Sequence, residues 1–244
     1  MATNRELIKK FRDMADCADA SYAMLDYVFE NIDSIFPSKE WKDSDKVRLG
    51  NTRKIKIEGQ EKEINTTYAR AIESRFQKDI VVKEGTFVDD KLGDSPKMVS
   101  ATRELSQRTK NFVNRYELIE HQPNADYGFS ATLFKDTKAT SKDSEYILAI
   151  RGTEPSDTGD LKTDARMALG YIPQGQYNDM LSFYNQCKTK YPAITESRSL
   201  NIAGHSLGGA LTQMLALSIC DDKNEANINE VYTFNSHLES KKAV

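Results

Sequence analysis

The stretch Leu200-Asn-Ile-Ala-Gly204-His205-Ser206-Leu207-Gly208-Gly209-Ala-Leu211 decides the fold. Leu200 to Ala203 is a short apolar run of strand type, and the apolar run from Leu207 to Ile219 is long enough for a buried helix. The junction between them reads Gly-x-Ser-x-Gly. Gly204 and Gly208 lack Cβ atoms, so strand and helix can approach closely around a strained turn that pushes the Ser206 hydroxyl out above the sheet. That turn also aims the backbone N–H of Leu207, at the positive end of the helix, toward the place where a substrate oxyanion would form. Ser206 is therefore the candidate nucleophile, with Gly204, His205 and Gly208 forming the elbow that presents it.

Outward from this motif the chain alternates strands with helices. Upstream lie an apolar run from Tyr146 to Ile150 and an amphipathic helix that places Tyr177, Leu181, Tyr184, Cys187 and Tyr191 on one face. Downstream a further strand runs from Val231 to Phe234. Helices of this length between strands call for right-handed crossovers, and so for a mostly parallel sheet covered on both faces. Earlier still, Tyr116 and Leu118 alternate with polar residues, as do Phe129, Ala131 and Leu133. The turn Pro123-Asn-Ala-Asp126 between them predicts a hairpin. Residues 115–244 thus read as an α/β core.

Before residue 115 the pattern is helical. Phe11, Met14, Ala18, Tyr22, Leu25, Phe29 and Ile32 follow at spacings of three and four, and Thr3 with Glu6 has the spacing of a capping box, which predicts one amphipathic helix over residues 4–32. Tyr68, Ile72, Phe76 and Ile80 repeat the pattern after Asn65, and a third helix is expected from Ser100 to Val113. The charged, glycine-containing segments 37–63 and 81–98 read as loops or weak hairpins. Residues 1–114 are accordingly expected to form a helical N-terminal region.

Composition excludes several classes of function. With 34 basic against 37 acidic residues and a net charge of −3, the chain lacks the electrostatic footprint of a nucleic-acid binder. Cys17, Cys187 and Cys220 are odd in number and far apart, so they read as reduced thiols rather than a disulfide framework or a metal site. The N-terminus offers no apolar core of a signal peptide, and no stretch is long enough to span a bilayer. The expectation is a cytoplasmic protein, or one secreted by a route that does not use a signal peptide.

A second signal lies at Ile147-Leu-Ala-Ile150-Arg151-Gly152-Thr153. Gly152 permits a tight exit from the strand, and Thr153 can then offer its backbone N–H as the second donor of an oxyanion hole. The pairing of Ala149-Ile-Arg-Gly-Thr-Glu154 with Ile202-Ala-Gly-His-Ser-Leu-Gly-Gly-Ala-Leu211, followed by Val231-Tyr-Thr-Phe-Asn235, resembles the class 3 (fungal-type) lipases of the α/β-hydrolase superfamily. The resemblance is most specific over residues 145–235. It implies Ser206 as nucleophile and Thr153 and Leu207 as oxyanion donors. The implied reaction is hydrolysis of a glycerolipid or phospholipid ester through an acyl-enzyme, with no metal or organic cofactor.

In that family the order is Ser, then Asp, then His. Here the acids after Ser206 are Asp221, Asp222, Glu225, Glu230 and Glu239, and the one histidine is His237, in what reads as a charged tail. The core is therefore expected to be incomplete at its C-terminus, with His237 a surface histidine and His121 and His205 structural. The alternative reading is a catalytically inactive, truncated relative with a binding role. Acyl transfer to an alcohol or thiol is a third. Met167 to Pro173 form an apolar stretch that reads equally as a lid making transient contact with a lipid surface or as packing on the sheet. Asp160 and Asp164, four apart, read as solvated or capping. A sheet ending at Phe234 would leave an edge open to pairing with a second copy of the chain.

Overall fold

The computed structural model describes residues 3–23, 25, 28, 51–57, 59–76, 104–140, 144–152, 174–220 and 227–236. The chain divides into two compact units, one made of Met1–Ser21 with Glu120–Val244 and the other of Tyr22–Ile119. The first helix thereby groups with the sheet rather than with the helices that follow it in sequence.

That helix, α1 (Asn4–Ala20), starts at the expected capping box. The Thr3 hydroxyl accepts from the Glu6 N–H at 3.3 Å, while the Glu6 carboxylate accepts from the Thr3 N–H at 2.7 Å. It is shorter than the expected 4–32. At its end the Ser21 hydroxyl turns back to donate to the Ala18 carbonyl at 2.8 Å, and the Leu25 N–H bonds the Ala23 carbonyl, so the helical ladder is not continued. Met14, Cys17 and Ala18 are buried, and α1 packs against the sheet of its own unit.

The unit from Tyr22 to Ile119 holds an antiparallel hairpin, β1 (Thr52–Ile57) and β2 (Gln60–Asn65), which turns at Gly59 with φ +81°. Among the described residues two short helices follow, α2 (Thr67–Phe76) and α3 (Gln107–Val113). Phe76 meets Phe112 edge to face at 5.4 Å. The start expected at Ser100 falls instead at Gln107. Ser106 is extended, and its hydroxyl caps the Thr109 N–H at 3.3 Å. The Glu73 carboxylate accepts from the Ser106 N–H at 3.1 Å and the Ser106 hydroxyl at 2.6 Å, which fixes α3 against α2. Ile80 and the segment 81–98 lie outside the described residues.

The sheet has five strands in the order β3 (Tyr116–Gln122), β4 (Ala131–Asp136), β5 (Tyr146–Ile150), β6 (Leu200–His205) and β7 (Ile228–Phe234). β4 runs antiparallel to β5, pairing Ala131 with Ile150, while β5, β6 and β7 are parallel, with Ile150 beside Gly204 and His205 beside Phe234. Every residue of β5, and all of β6 but His205, is buried, as strands covered on both faces must be. The crossovers carry α4 (Gln174–Lys190) and α5 (Leu207–Ile219), whose Tyr177 and Ser218 hydroxyls lie 2.8 Å apart. Mixed strand directions, flanking helices and a strand–serine–helix turn make this an α/β-hydrolase-like sheet. Among the described residues no helix is long and apolar enough to cross a membrane.

His121, on β3, sits with Nδ1 3.0 Å from the Thr132 hydroxyl. Burial, reinforced by the nearby Arg151 charge, pushes its imidazole down to about 3. In the unfolded chain an imidazole titrates near 6.5, so between about pH 3 and 6.5 the unfolded state binds the extra proton and stability falls as pH falls. The loss is at most roughly 1.4 kcal/mol per pH unit. Thermal unfolding followed from pH 7 to pH 4 should therefore decline more steeply for the wild type than for His121→Gln. Parallel curves would show that His121 is protonated alike in both states.

Candidate active site

Ser206 stands between β6 and α5 with φ +55° and ψ −127°. A side chain at positive φ costs of order 1–3 kcal/mol and persists only where its surroundings impose it. Here they do. The Ser206 N–H donates to the Phe234 carbonyl at the end of β7 at 2.8 Å, and its carbonyl accepts from the Gly209 N–H at 2.9 Å, closing the first turn of α5. Serine at a helix start ordinarily caps with its hydroxyl, but Ser206 makes no side-chain cap bond. Ser206 is half-buried, its hydroxyl makes no cap bond, and the main chain alone begins the helix.

The glycines explain how such a turn fits. A Cβ on Gly204 would lie 2.3 Å from the Gly208 carbonyl oxygen and 2.5 Å from the Thr212 hydroxyl oxygen. One on Gly208 would lie 2.3 Å from the Ile150 carbonyl oxygen and 2.7 Å from the Arg151 carbonyl carbon. The start of α5 is therefore seated against both the end of its own strand and the end of β5. Gly209 is tight as well, with a Cβ there falling 2.6 Å from that of Ser236.

This packing brings the two sequence signals together. The Gly152 end of the Ile147–Thr153 segment lies against Gly208, one residue after Leu207. Leu207 is the first residue of α5, and first-turn N–H groups have no acceptor within their own helix. Thr153 lies outside the described residues. So do His237, Asp160, Asp164, Asp221, Asp222, Glu225 and Glu239, and the apolar stretch Met167 to Pro173.

His205 ends β6 beside Phe234 and is half-exposed. His121 is held on Thr132. Glu230 is engaged on β7, accepting from Lys10 at 3.0 Å and from the Tyr232 hydroxyl at 2.5 Å. Among the described residues no hydrogen bond joins the Ser206 hydroxyl to an imidazole or a carboxylate. Cys17 and Cys187 are buried, Cys220 is exposed and none of the three is in a disulfide, and burial pushes Cys187 up to about 12.

Two supporting features were not legible beforehand. Asn235 leaves β7 with φ +50°, and the Ser236 hydroxyl accepts from the Gln213 amide of α5 at 3.0 Å, so the end of β7 is tied to the helix that follows the serine. Asparagine tolerates the left-handed region, but nothing in the sequence around Asn235 says that the turn closes on Gln213.

A strained serine between a buried parallel strand and a buried helix, with the neighbouring strand end packed on the helix start, defines a lipase-like protein of the α/β-hydrolase class. Residues 87–237 match the phospholipase-like family described as the Tle-like phospholipase domain, and the chain belongs to that family. It is also 33% identical over 114 residues to an extracellular phospholipase A1 of Serratia liquefaciens, an alignment covering 46% of this chain and 31% of that protein. The aligned part is thus less than a third of that relative's length. A lipase from Rhizopus microsporus var. chinensis superposes with a TM-score of 0.34 at 16% identity, over 53% of this chain and 48% of that one.

Proposed function

We propose that Ser206 is the nucleophile of a carboxylic-ester hydrolase that acts on phospholipid or related glycerolipid esters of the kind cut by lipases and phospholipases A. Membership of a phospholipase-like family supports this reading at the level of lipid ester hydrolysis. The observation that carries the assignment to one residue is the φ of +55° at Ser206, whose hydroxyl makes no cap bond. In this reading Ser206 Oγ attacks the ester carbonyl carbon and a base takes its proton. The oxyanion rests on the backbone N–H groups of Leu207 and Thr153, and as the ester C–O bond breaks the base passes the serine proton to the departing alcohol, leaving an acyl-enzyme. Water then releases the fatty acid by the same steps in reverse order. The likeness of the motifs to class 3 lipases supports the same roles.

A second reading keeps the elbow without turnover, as in an inactive relative that only binds. It is favoured by the absence, among the described residues, of an imidazole bonded to the serine. A fluorophosphonate probe separates the two. The intact chain should be labelled, and Ser206→Ala should not. Labelling of neither protein supports the inactive reading, and equal labelling of both removes Ser206 from the chemistry.

A further inference from the structure

We infer that the first half of α1 is an interfacial helix that docks this protein on an anionic phospholipid surface. Every residue from Thr3 to Arg12 is exposed, and continuous burial of the helix face begins only at Asp13 and Met14. Within the exposed turns Leu7, Ile8 and Phe11 are 46%, 69% and 48% exposed. Among the described residues the other large exposed apolar side chains are Tyr127, Leu217 and Val231, so half of them lie in one five-residue window. Such clustering marks an interaction site, whereas single exposed apolar residues are ordinary.

The arrangement around the helix names the partner. At about 100° per residue, Leu7, Phe11 and Ile8 fall within an arc of about 100°. Arg5 and Arg12 border that arc on one side, Arg12 being bonded to Asp13 at 3.1 Å, and Lys10, bridged to Glu230, borders it on the other, with Lys9 on the polar face. Glu6 is the only acid among these residues, and it is engaged in the capping box with Thr3. An apolar stripe beside long cationic side chains suits a lipid surface, where the stripe enters the acyl boundary and Arg5 and Lys9 reach up to phosphates. The chain as a whole carries −3, so an anionic surface would repel most of it and attract this segment.

The helix is also mounted firmly enough to act as a foot. Lys10 bridges to Glu230 at 3.0 Å, and Phe11 meets Tyr232 edge to face at 5.5 Å, while Met14, Cys17 and Ala18 are buried behind them. Glu230 and Tyr232 lie on β7, the strand whose end holds the Ser206 N–H. The inference deepens the lipid-ester reading and rests on it for the choice of phospholipid as partner.

The test is co-sedimentation of the full chain with vesicles of phosphatidylcholine alone and of equimolar phosphatidylcholine and phosphatidylglycerol. Wild type should bind the anionic vesicles and scarcely the neutral ones. Arg5→Gln/Lys9→Gln should weaken binding about 25-fold, each surface charge being worth about fivefold. Leu7→Ser/Ile8→Ser should weaken it on the order of tenfold or more. Both variants should unfold at the wild-type temperature, since the altered side chains are exposed. Absence of wild-type binding to the anionic vesicles, or binding undiminished in both variants, overturns the inference. So does a dimer that is lost in Leu7→Ser/Ile8→Ser without any vesicle binding, since the stripe would then face a second copy. Ser206→Ala should bind vesicles as wild type does. Vesicle binding without any ester turnover would leave the docking surface standing and sink only the hydrolase reading.

Discussion

Gly208→Ala is expected to lower the stability of the sheet-containing unit by about 3 kcal/mol or more, which is a fall in melting temperature on the order of 10 °C. The added methyl would lie 2.3 Å from the Ile150 carbonyl oxygen. That atom belongs to the main chain of a central strand, bonded on both sides, so it cannot swing aside as the tip of a side chain would. Either α5 lifts from the sheet or β5 bends, and both disturb the turn at Ser206. Gly59→Ala is the useful comparison. Gly59 has φ +81° but open space around its missing Cβ, so that substitution should cost only about 1 kcal/mol of backbone strain. Thermal unfolding of the two variants separates crowding from backbone preference. If Gly208→Ala melts within a few degrees of wild type, the close approach of α5 to β5 is wrong.

Ser206→Ala is expected to abolish ester turnover, by as much as roughly a million-fold if a base completes the site. The same position should show the opposite trend in stability. Alanine at φ +55° and ψ −127° keeps the strain that serine bears, whereas glycine relieves it, so Ser206→Gly should be more stable than Ser206→Ala by about 1 kcal/mol. Denaturant unfolding of both variants, with turnover measured alongside, checks the pair. Loss of activity without any gain from glycine would mean that the turn is not strained as described. Retained activity in Ser206→Ala would remove the nucleophile.

The elbow was legible because its signals are local. Gly204, Ser206 and Gly208 fall between an apolar strand and an apolar helix, and those residue types are what a close strand–helix turn requires. The strands around Tyr116, Leu133, Tyr146 and Leu200 were legible for the same reason, since alternation or short apolar runs record which faces are covered. The far end of α1 was not. Spacings of three and four continue past Ala20, yet Ser21 turns its hydroxyl back onto Ala18, and apolar periodicity carries no sign of that competing bond. The start of α3 was misplaced likewise, because the bond from Glu73 that seats Ser106 joins residues 33 apart in sequence.

Sequence alone determined the residue types at the turn, the alternation of strand and helix after residue 115, and the capping box that starts α1. These are consequences of side-chain geometry and burial within a few residues of each other. Tertiary structure decided that α1 belongs with the sheet, that the Ile150 end of β5 presses on Gly208, and that the Phe234 carbonyl holds the Ser206 N–H. Each of these joins parts of the chain far apart in sequence. A pattern of apolar residues says that a face must be covered, but only the folded packing says by what.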